Sequence, residues 1–365
     1  MKILEVMCSF GPGGVERFVV DLCNEMSLHE DVTLMTLKDN SIRNNSFYKN
    51  ELDKRVKYTC MDWKDGFHFI YLIKIIFAIK KLNPEIVHFH GAARNYLILA
   101  NLFLGHRIKF VQTIHNDVYR GYTNFMSKVQ IGMGRIFGKL KFVTISRTNY
   151  EQFSKVYPKC KQEMILNGRG TLRKSEKYDE VKAYVDSFKK DDNTIVFLHI
   201  ARCNKQKNQE LLIRSFNKII EEGANVALIM IGGDFDSELG ISLKGIANHG
   251  IYIIGTHNNV ADYMYCSDAF ILSSSFEGMP ITVIEALLCG LPVISTPVSG
   301  SIDLVENGVN GVISNDFSLN EFIRAIKEFI SKKEKIKENT QHDLSSTPLS
   351  IESCCKKYLN YFRNI

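Results

Sequence analysis

The stretch Ser275-Phe-Glu-Gly-Met-Pro-Ile-Thr-Val-Ile-Glu-Ala286 lies between two short apolar runs, 269–272 and 293–296, and its reading decides the fold. Glu277-Gly278-Met279-Pro280 forms a tight loop after the first run. Pro280 suits the first turn of a helix, because the N–H it lacks is one of the donors left unbonded there. The helix is predicted to run to about Cys289 and to stop at Gly290, with Pro292 leading into the second apolar run. The unit is therefore strand, glycine loop, helix, strand. In such a unit the amides of Gly278, Met279 and Ile281 lie near a helix N-terminus, where unpaired N–H groups and the positive dipole end favour an anion or sugar hydroxyls. Glu277 is expected at the loop mouth and Glu285 about a turn and a half below it. A loop carboxylate can accept hydrogen bonds from hexose hydroxyls, and a helix carboxylate can take the paired hydroxyls of a ribose. A nucleotide sugar has both.

Outward from this unit, short apolar runs alternate with helical patterns over nearly the whole chain, which predicts parallel sheets with crossover helices. A first series of strands is expected at 3–7, 32–37, 86–90, 110–114 and 142–146, and a second at 195–201, 227–232, 251–255, 269–272 and 293–296. The polar stretch 169–193 separates them, so the expected organisation is an N-terminal Rossmann-like domain over 1–168 and a C-terminal one over 169–345. Ser345-Ser-Thr-Pro348 breaks a long helix that begins at Ser318, and a final helix is expected over 351–362, within a terminal segment 346–365.

The chain has 365 residues, 45% hydrophobic and 24% charged, which is the composition of a soluble globular protein rather than a disordered one. Nine scattered cysteines without Cys-x-x-Cys spacing argue for a reducing cytosol and against a zinc site or a disulfide framework. The N-terminal apolar run is too short for a signal peptide and reads as a first strand. The apolar segment 69–82 carries Lys74, Lys80 and Lys81, so it predicts an amphipathic helix and excludes a membrane span. Residues 1–170 hold 25 Lys and Arg against 15 Asp and Glu, a balance of +10, whereas the remainder holds 21 against 25, a balance of −4. Residues 118–150 contain Arg120, Lys128, Arg135, Lys139, Lys141 and Arg147 and no acid after Asp117. This stretch is either a solvated basic face or a contact for anionic lipid headgroups or a lipid-diphosphate acceptor.

Three further constellations bear on chemistry. Arg202 and Lys207 follow the buried run 195–201, with Asn208 placed to cap the next helix. Two cations at the C-terminal end of a parallel strand can stabilise the charge that a diphosphate gains as it leaves a sugar, without a metal. Gly11-Pro-Gly13-Gly14-Val-Glu16 follows the first strand and opens a helix, as a phosphate cradle or as a tight turn. With Asp39 near the end of the second strand it invites a dinucleotide reading, weakened because the third glycine would fall at Glu16. His115 ends a predicted strand, either as a hydrogen-bonded structural residue or as a group facing a ligand. Asp234-Phe-Asp236, a potential metal motif, follows Ile231-Gly232-Gly233 and reads as a polar loop; no metal site is assigned.

The glutamate pair, the Glu-Gly-x-Pro start and the Ala286…Gly290-Leu-Pro292-Val293 continuation resemble the retaining glycosyltransferases of family 4. The resemblance implies the GT-B fold, two Rossmann-like α/β domains with parallel sheets facing a central cleft, and a C-terminal helix crossing back to the first domain. It implies that Glu277 orients the donor hexose, Glu285 binds the ribose, Arg202 with Lys207 binds the diphosphate, and Gly13 and Gly14 form a flexible loop facing the donor phosphates. His115 then lies against the donor sugar or acceptor. Ala201 stands where the family has a glycine, and Ser299-Gly-Ser-Ile-Asp303 departs from the commoner Gly-Gly-x-x-Glu. Arg147 and Asn167-Gly168 also match family positions, and a helix start and a linker turn account for them. The implied function is retaining transfer of a hexosyl unit from a nucleotide diphosphate sugar, with uridine diphosphate the common carrier, to a glycan or lipid-linked acceptor. It needs no cofactor, metal or nucleic acid, and is placed in the cytoplasm or on the inner face of the cytoplasmic membrane. A GT-B sugar-nucleotide epimerase or hydrolase, or a dinucleotide-binding oxidoreductase, are the alternatives.

Overall fold

The computed structural model describes residues 1–38, 46–64, 68–342 and 348–365. Asp39 and Ser345 to Thr347, which entered the sequence reading, lie outside the described residues. The chain divides into two compact units, Met1–Gly170 together with Pro348–Ile365, and Thr171–Thr347.

The first unit runs β1 (Lys2–Met7), α1 (Gly14–Met26), β2 (Asp31–Lys38), β3 (Lys57–Trp63), α2 (Phe69–Leu82), β4 (Ile86–His90), α3 (Arg94–Leu104), β5 (Lys109–Ile114), α4 (Val118–Gly121), α5 (Phe125–Phe137), β6 (Lys141–Thr144), α6 (Arg147–Val156) and β7 (Gln162–Met164). Its seven strands are all parallel, in the order β3-β2-β1-β4-β5-β6-β7. The sheet has two unlike faces, because successive side chains of a strand point to opposite sides. Leu4, Val6, Val87, Phe89, Phe110 and Ile114 join Ile75 and Ile79 of α2 and Leu97 of α3 in one apolar cluster. The other face of the same strands carries Glu5, His88, His90 and Thr113. Pairing sets Glu5 opposite His88 and His90 opposite Thr113, so these polar groups share one side.

The second unit runs α7 (Tyr178–Asp186), β8 (Ile195–Ile200), α8 (Gln209–Glu221), β9 (Val226–Ile231), α9 (Glu238–Ile246), β10 (Ile251–Ile253), α10 (Val260–Tyr265), β11 (Ala269–Leu272), α11 (Ile281–Leu288), β12 (Val293–Ser295), α12 (Ser301–Leu304), β13 (Gly311–Ile313) and α13 (Leu319–His342). Its six parallel strands take the order β10-β9-β8-β11-β12-β13. α11 stops where the sequence predicts, with Gly290 taking the positive φ of 70° that a side chain disfavours.

The last helix, α14 (Ile351–Asn364), belongs to the first unit and lies on α1. Ser350 caps it, its Oγ accepting from the Ser353 amide. Two backbone bonds tie its start to the end of the first stretch of chain: Arg169 N donates to Leu349 O at 2.9 Å and Ile351 N to Arg169 O at 3.1 Å. Cys355, Tyr358, Leu359 and Phe362 form its buried stripe at helical spacing. All nine cysteines are free of disulfides. Among the described residues no helix is long and apolar enough to cross a membrane.

Each sheet is wider than the five strands expected. The additions β3, β7 and β13 all lie at sheet edges, and β7 and β13 have only three residues. β3 is largely half-buried and interrupted by Asp62 in a left-handed conformation (φ 51°), so it lacks the continuous apolar run by which buried parallel strands announce themselves.

Candidate active site

In the second unit, β8 and β11 are paired neighbours, and the loops leaving their C-terminal ends are stitched together. Ser275 N donates to Gln206 O at 2.8 Å, Gln206 Nε2 to Phe276 O at 2.9 Å, and Ser273 Oγ to Lys207 O at 2.9 Å. These bonds bring Lys207 and Glu277 together across 70 residues of chain, with Lys207 Nζ 2.6 Å from Glu277 Oε1. Ser274 Oγ donates to the same oxygen at 2.7 Å, and Gln206 Nε2 to Oε2 at 3.3 Å. Glu277 is thus folded inward, 8% exposed, rather than loose at the loop mouth. Charge-assisted bonds of this kind hold both partners in place before any ligand arrives.

Arg202 is exposed, and its carbonyl oxygen accepts from Gln209 Nε2 at 2.9 Å. The structure records no contact that joins it to Lys207 or Glu277. Asn208 takes the capping position of α8 in a left-handed conformation (φ 49°) without a side-chain cap bond, which differs from the expected role. The loop is held instead from within, by Asn204 Oδ1 accepting from Lys207 N at 3.0 Å.

Gly278, Met279 and Pro280 are buried and precede α11, with Pro280 in the capping position and Ile281 the first helical residue. Gly300, at φ 77°, closes the loop before α12 against them. A Cβ there would come within 2.6 Å of Met279 Cα and 2.9 Å of Gly278 O, so only glycine permits the approach. Glu285 is buried on α11, 6% exposed. His199 on β8, which the sequence reading missed, is fully buried. Its Nδ1 donates to Ile271 O at 2.9 Å and its Nε2 has no partner; burial pushes its pKa down to about 4.

In the first unit, Gly13 takes the capping position of α1 and Gly14 begins it. The carboxylate of Glu16 lies against Gly13, in the space a Cβ would fill. Glu16 stands where the third glycine of a dinucleotide loop would fall, which counts against that reading.

His115 follows β5 and is buried, 4% exposed, on the polar face of the sheet. Its Nε2 lies 2.8 Å from His90 Nδ1, and His90 Nε2 lies 2.8 Å from Glu5 Oε2. His88 Nδ1 meets the same carboxylate at 3.0 Å. Burial drives the His90 pKa down to about 4 and that of His115 well below the ordinary value, so both rings are neutral. Burial alone would raise Glu5, but its two histidine partners outweigh that and bring it to about 2. The ligand atoms of Glu5, His88 and His90 lie within 4.8 Å of one another, a spacing a metal ion could use. Each is already hydrogen-bonded, so coordination would cost those bonds. The sequence reading singled out His115 and missed Glu5, His88 and His90. Their signal is alternation, His-x-His in one apolar strand and a single Glu inside another.

Comparison with known proteins completes the picture. A family model described as Glycosyl transferases group 1 matches residues 180–344, and one described as Glycosyltransferase Family 4 matches residues 12–169. An uncharacterized glycosyltransferase of Methanocaldococcus jannaschii is 28% identical over 320 residues, covering 79% of this chain and 76% of its own length. The capsular polysaccharide biosynthesis glycosyltransferase CapH of Staphylococcus aureus is 25% identical over 378 residues, covering 96% of this chain and 98% of its own. Among solved structures, Anabaena HepE in complex with UDP superposes with a TM-score of 0.82 at 16% identity over 100% of both chains. Its complex with UDP-glucose gives 0.79 at 18%, again over 100% of both. At that identity the likeness speaks for the fold.

Proposed function

Because the chain belongs to the family 4 glycosyltransferases and has their GT-B fold, we propose that it moves a hexosyl unit from a nucleotide diphosphate sugar to a glycan or lipid-diphosphate-linked saccharide, with retention of anomeric configuration. The observation that carries this reading is the Lys207–Glu277 pair at 2.6 Å, fixed at the C-terminal ends of two adjacent parallel strands, the edge at which open α/β sheets bind ligands. Lys207 and Arg202 take the diphosphate, Glu277 the hexose hydroxyls and Glu285 the ribose. The backbone of Gly278, Met279, Pro280 and Ile281 lines the same edge. Gly13 and Gly14 face the donor phosphates, and His115 the sugar or acceptor. The cations stabilise the leaving charge, so the reaction needs no metal. The departing phosphate helps take the acceptor proton, in a front-face displacement without a protein nucleophile. Uridine diphosphate is the carrier that the HepE complexes favour, and the name of CapH favours an acceptor in surface polysaccharide assembly.

The acceptor belongs to the basic first unit, at an anionic membrane surface. Phe69 and Phe77 of α2, Phe103 of α3, and Phe125, Ile136 and Phe137 of α5 are 57–77% exposed on three helices, of which α3 touches both α2 and α5. Apolar side chains interleaved with Lys128, Arg135, Lys139 and Lys141 suit an interface of acyl chains and anionic headgroups. Replacing those four cations by glutamine should release the protein from anionic vesicles and leave donor binding intact. Undiminished sedimentation with the vesicles would leave only a solvated face.

Donor binding is tested by unfolding the full chain in the presence of nucleotide sugars. A native-state ligand stabilises by about 2.7 kcal/mol at a hundred times its Kd. A shift with UDP-sugars and none with nicotinamide or flavin dinucleotides is expected; no shift with any nucleotide sugar removes the donor reading. Labelled donor incubated alone would reveal an epimerase or hydrolase as epimerised or free sugar, and the anomeric coupling of the transfer product tests retention.

A further inference from the structure

The buried cluster around Glu5 fixes more than packing. A carboxylate only accepts hydrogen bonds, so the two nitrogens that meet it, His88 Nδ1 at 3.0 Å and His90 Nε2 at 2.8 Å, must both carry hydrogen. A neutral imidazole has one N–H. His90 Nδ1 is then a lone pair, and His115 Nε2, 2.8 Å away, must donate to it. His115 is left with its lone pair on Nδ1. A second branch runs from His88 Nε2, 2.7 Å from Thr113 Oγ1, to the Tyr358 hydroxyl of α14, 3.2 Å from that oxygen. One carboxylate thereby sets a hydrogen on His88 and on His90 and, through His90, on His115.

The described neighbours of the cluster include aromatic rings and groups that stay protonated. Phe18 of α1 stands edge-on to His115 and to His90, with ring centroids 5.8 and 6.3 Å apart, and Phe362 of α14 is 5.3 Å from His88. The other titratable groups nearby, Cys23 of α1, Cys355 of α14 and Tyr358 itself, are held protonated by burial. Reversing the tautomer of His115 would set two lone pairs against each other at 2.8 Å in a dry site, an arrangement that costs the desolvation of both.

We propose that Glu5 and His90 are positioning residues that hold His115 in the tautomer with hydrogen on Nε2, so that His115 presents an unprotonated Nδ1 that accepts a hydrogen bond from a hydroxyl of the donor sugar or the acceptor. The proposal rests on the reading above that His115 borders the sugar. It divides the work of the reaction. His115 orients a hydroxyl and carries no charge, while charge at the diphosphate is met by Arg202 and Lys207 alone.

The experiment is nitrogen-15 NMR of the full chain with labelled histidine, His115 being assigned by the signals lost in His115→Gln. Wild type should show a pyridine-like Nδ1 and a pyrrole-like Nε2 for His115, and Glu5→Gln should mix the two tautomers while Thr113→Val leaves them unchanged. The wild-type spectrum decides the tautomer even if Glu5→Gln fails to fold. In transfer assays Glu5→Gln should lower kcat/KM about 10-fold, by analogy with the low end of the loss seen when the outer-shell partner of a metal-ligating histidine is removed. In the His115→Ala background the same change should cost nothing further. A pyrrole-like Nδ1 in wild type, or a metal-shifted His88 and His90, overturns the proposal at its geometry. The expected tautomer with additive losses, or with wild-type kcat/KM in His115→Ala, overturns its link to the sugar; the thermal shift with UDP-sugars tests donor binding separately.

Discussion

Two carboxylates, Glu5 in the first unit and Glu277 in the second, are both buried and both multiply hydrogen-bonded, yet they are built for different tasks. Glu5 lies in the middle of β1, 0% exposed, against two imidazoles. Glu277 lies in a loop after β11, 8% exposed, against an ammonium, a hydroxyl and an amide. A carboxylate inside a sheet can fix the hydrogens of its neighbours but meets no ligand. One at a strand end sits where backbone leaves the sheet and a ligand can enter, and its cation is only partly covered, 21% exposed at the side chain. Depth in the sheet thus separates a group that orders the protein from one placed to handle substrate.

The largest effect expected from this contrast is at the strand-end cluster. Lys207→Ala and Arg202→Ala should each lower kcat on the order of 10²-fold, as loss of one preorganised charge donor does in other active sites, with the fold intact. Glu277 would keep Ser274 and Gln206 as partners in Lys207→Ala, so no buried charge is stranded. Near-wild-type turnover of both variants at saturating donor would place the diphosphate elsewhere.

The acid response should sharpen the contrast next. For His90 the folded pKa of about 4 lies below the unfolded 6.5, so between those values the unfolded chain binds the extra proton and stability falls as pH drops. Glu5 acts over a lower window. Its folded value of about 2 lies under the unfolded 4.5, so its contribution is present above 4.5 and is lost as pH falls toward 2. Each such proton costs up to about 1.4 kcal/mol per pH unit inside its window. The second unit has His199, lowered to about 4, against His90 and Glu5 together in the first. The first unit should therefore unfold first on acidification. The single tryptophan, Trp63, is 4% exposed in β3 and reports that unit alone by fluorescence. Retention of the buried tryptophan signal to a lower pH than amide protection in β8, β9 and β11 would reverse the assignment.

The same contrast explains what the sequence made legible. The Lys207–Glu277 loops could be located because strand-end loops carry their glycine, proline and polar residues in contiguous letters, and Glu277-Gly-Met-Pro280 can be read without knowing what lies beside it. The bonds that fold Glu277 inward come from Lys207, Gln206 and Ser274, and only the pairing of β8 with β11 supplies the first two. The network of Glu5 is spread further. Glu5 and His88 are 83 residues apart, and His88 and Thr113 are 25, so nothing short of the strand register joins them. Buried strands are legible by their apolar runs, and a polar residue inside one is the trace such a network leaves, since burying it without partners would be costly. Edge strands such as β7 leave neither signal.

The smallest effect should come from a second lysine–carboxylate pair in the same unit, Lys244 with Asp236. At 2.9 Å it is nearly as close as Lys207 with Glu277, but the Asp236 side chain is fully exposed, where water and salt screen the attraction. Its loop has a structural explanation that needs no ligand. Asp234 takes a left-handed conformation (φ 67°), Phe235 between the acids is buried at 4%, and Ser237 caps α9 by accepting from the Gly240 amide at 3.2 Å. A buried aromatic anchor and a helix start account for the residues that a metal motif would claim. Asp236→Ala should accordingly leave both the unfolding temperature and transfer unchanged, and a chelator should leave transfer intact while Lys207→Ala abolishes most of it. Loss of activity with chelator, restored by magnesium or manganese, together with loss of activity in Asp236→Ala, would mean that the exposed pair works on substrate and that distance, rather than depth at the strand ends, was the better guide.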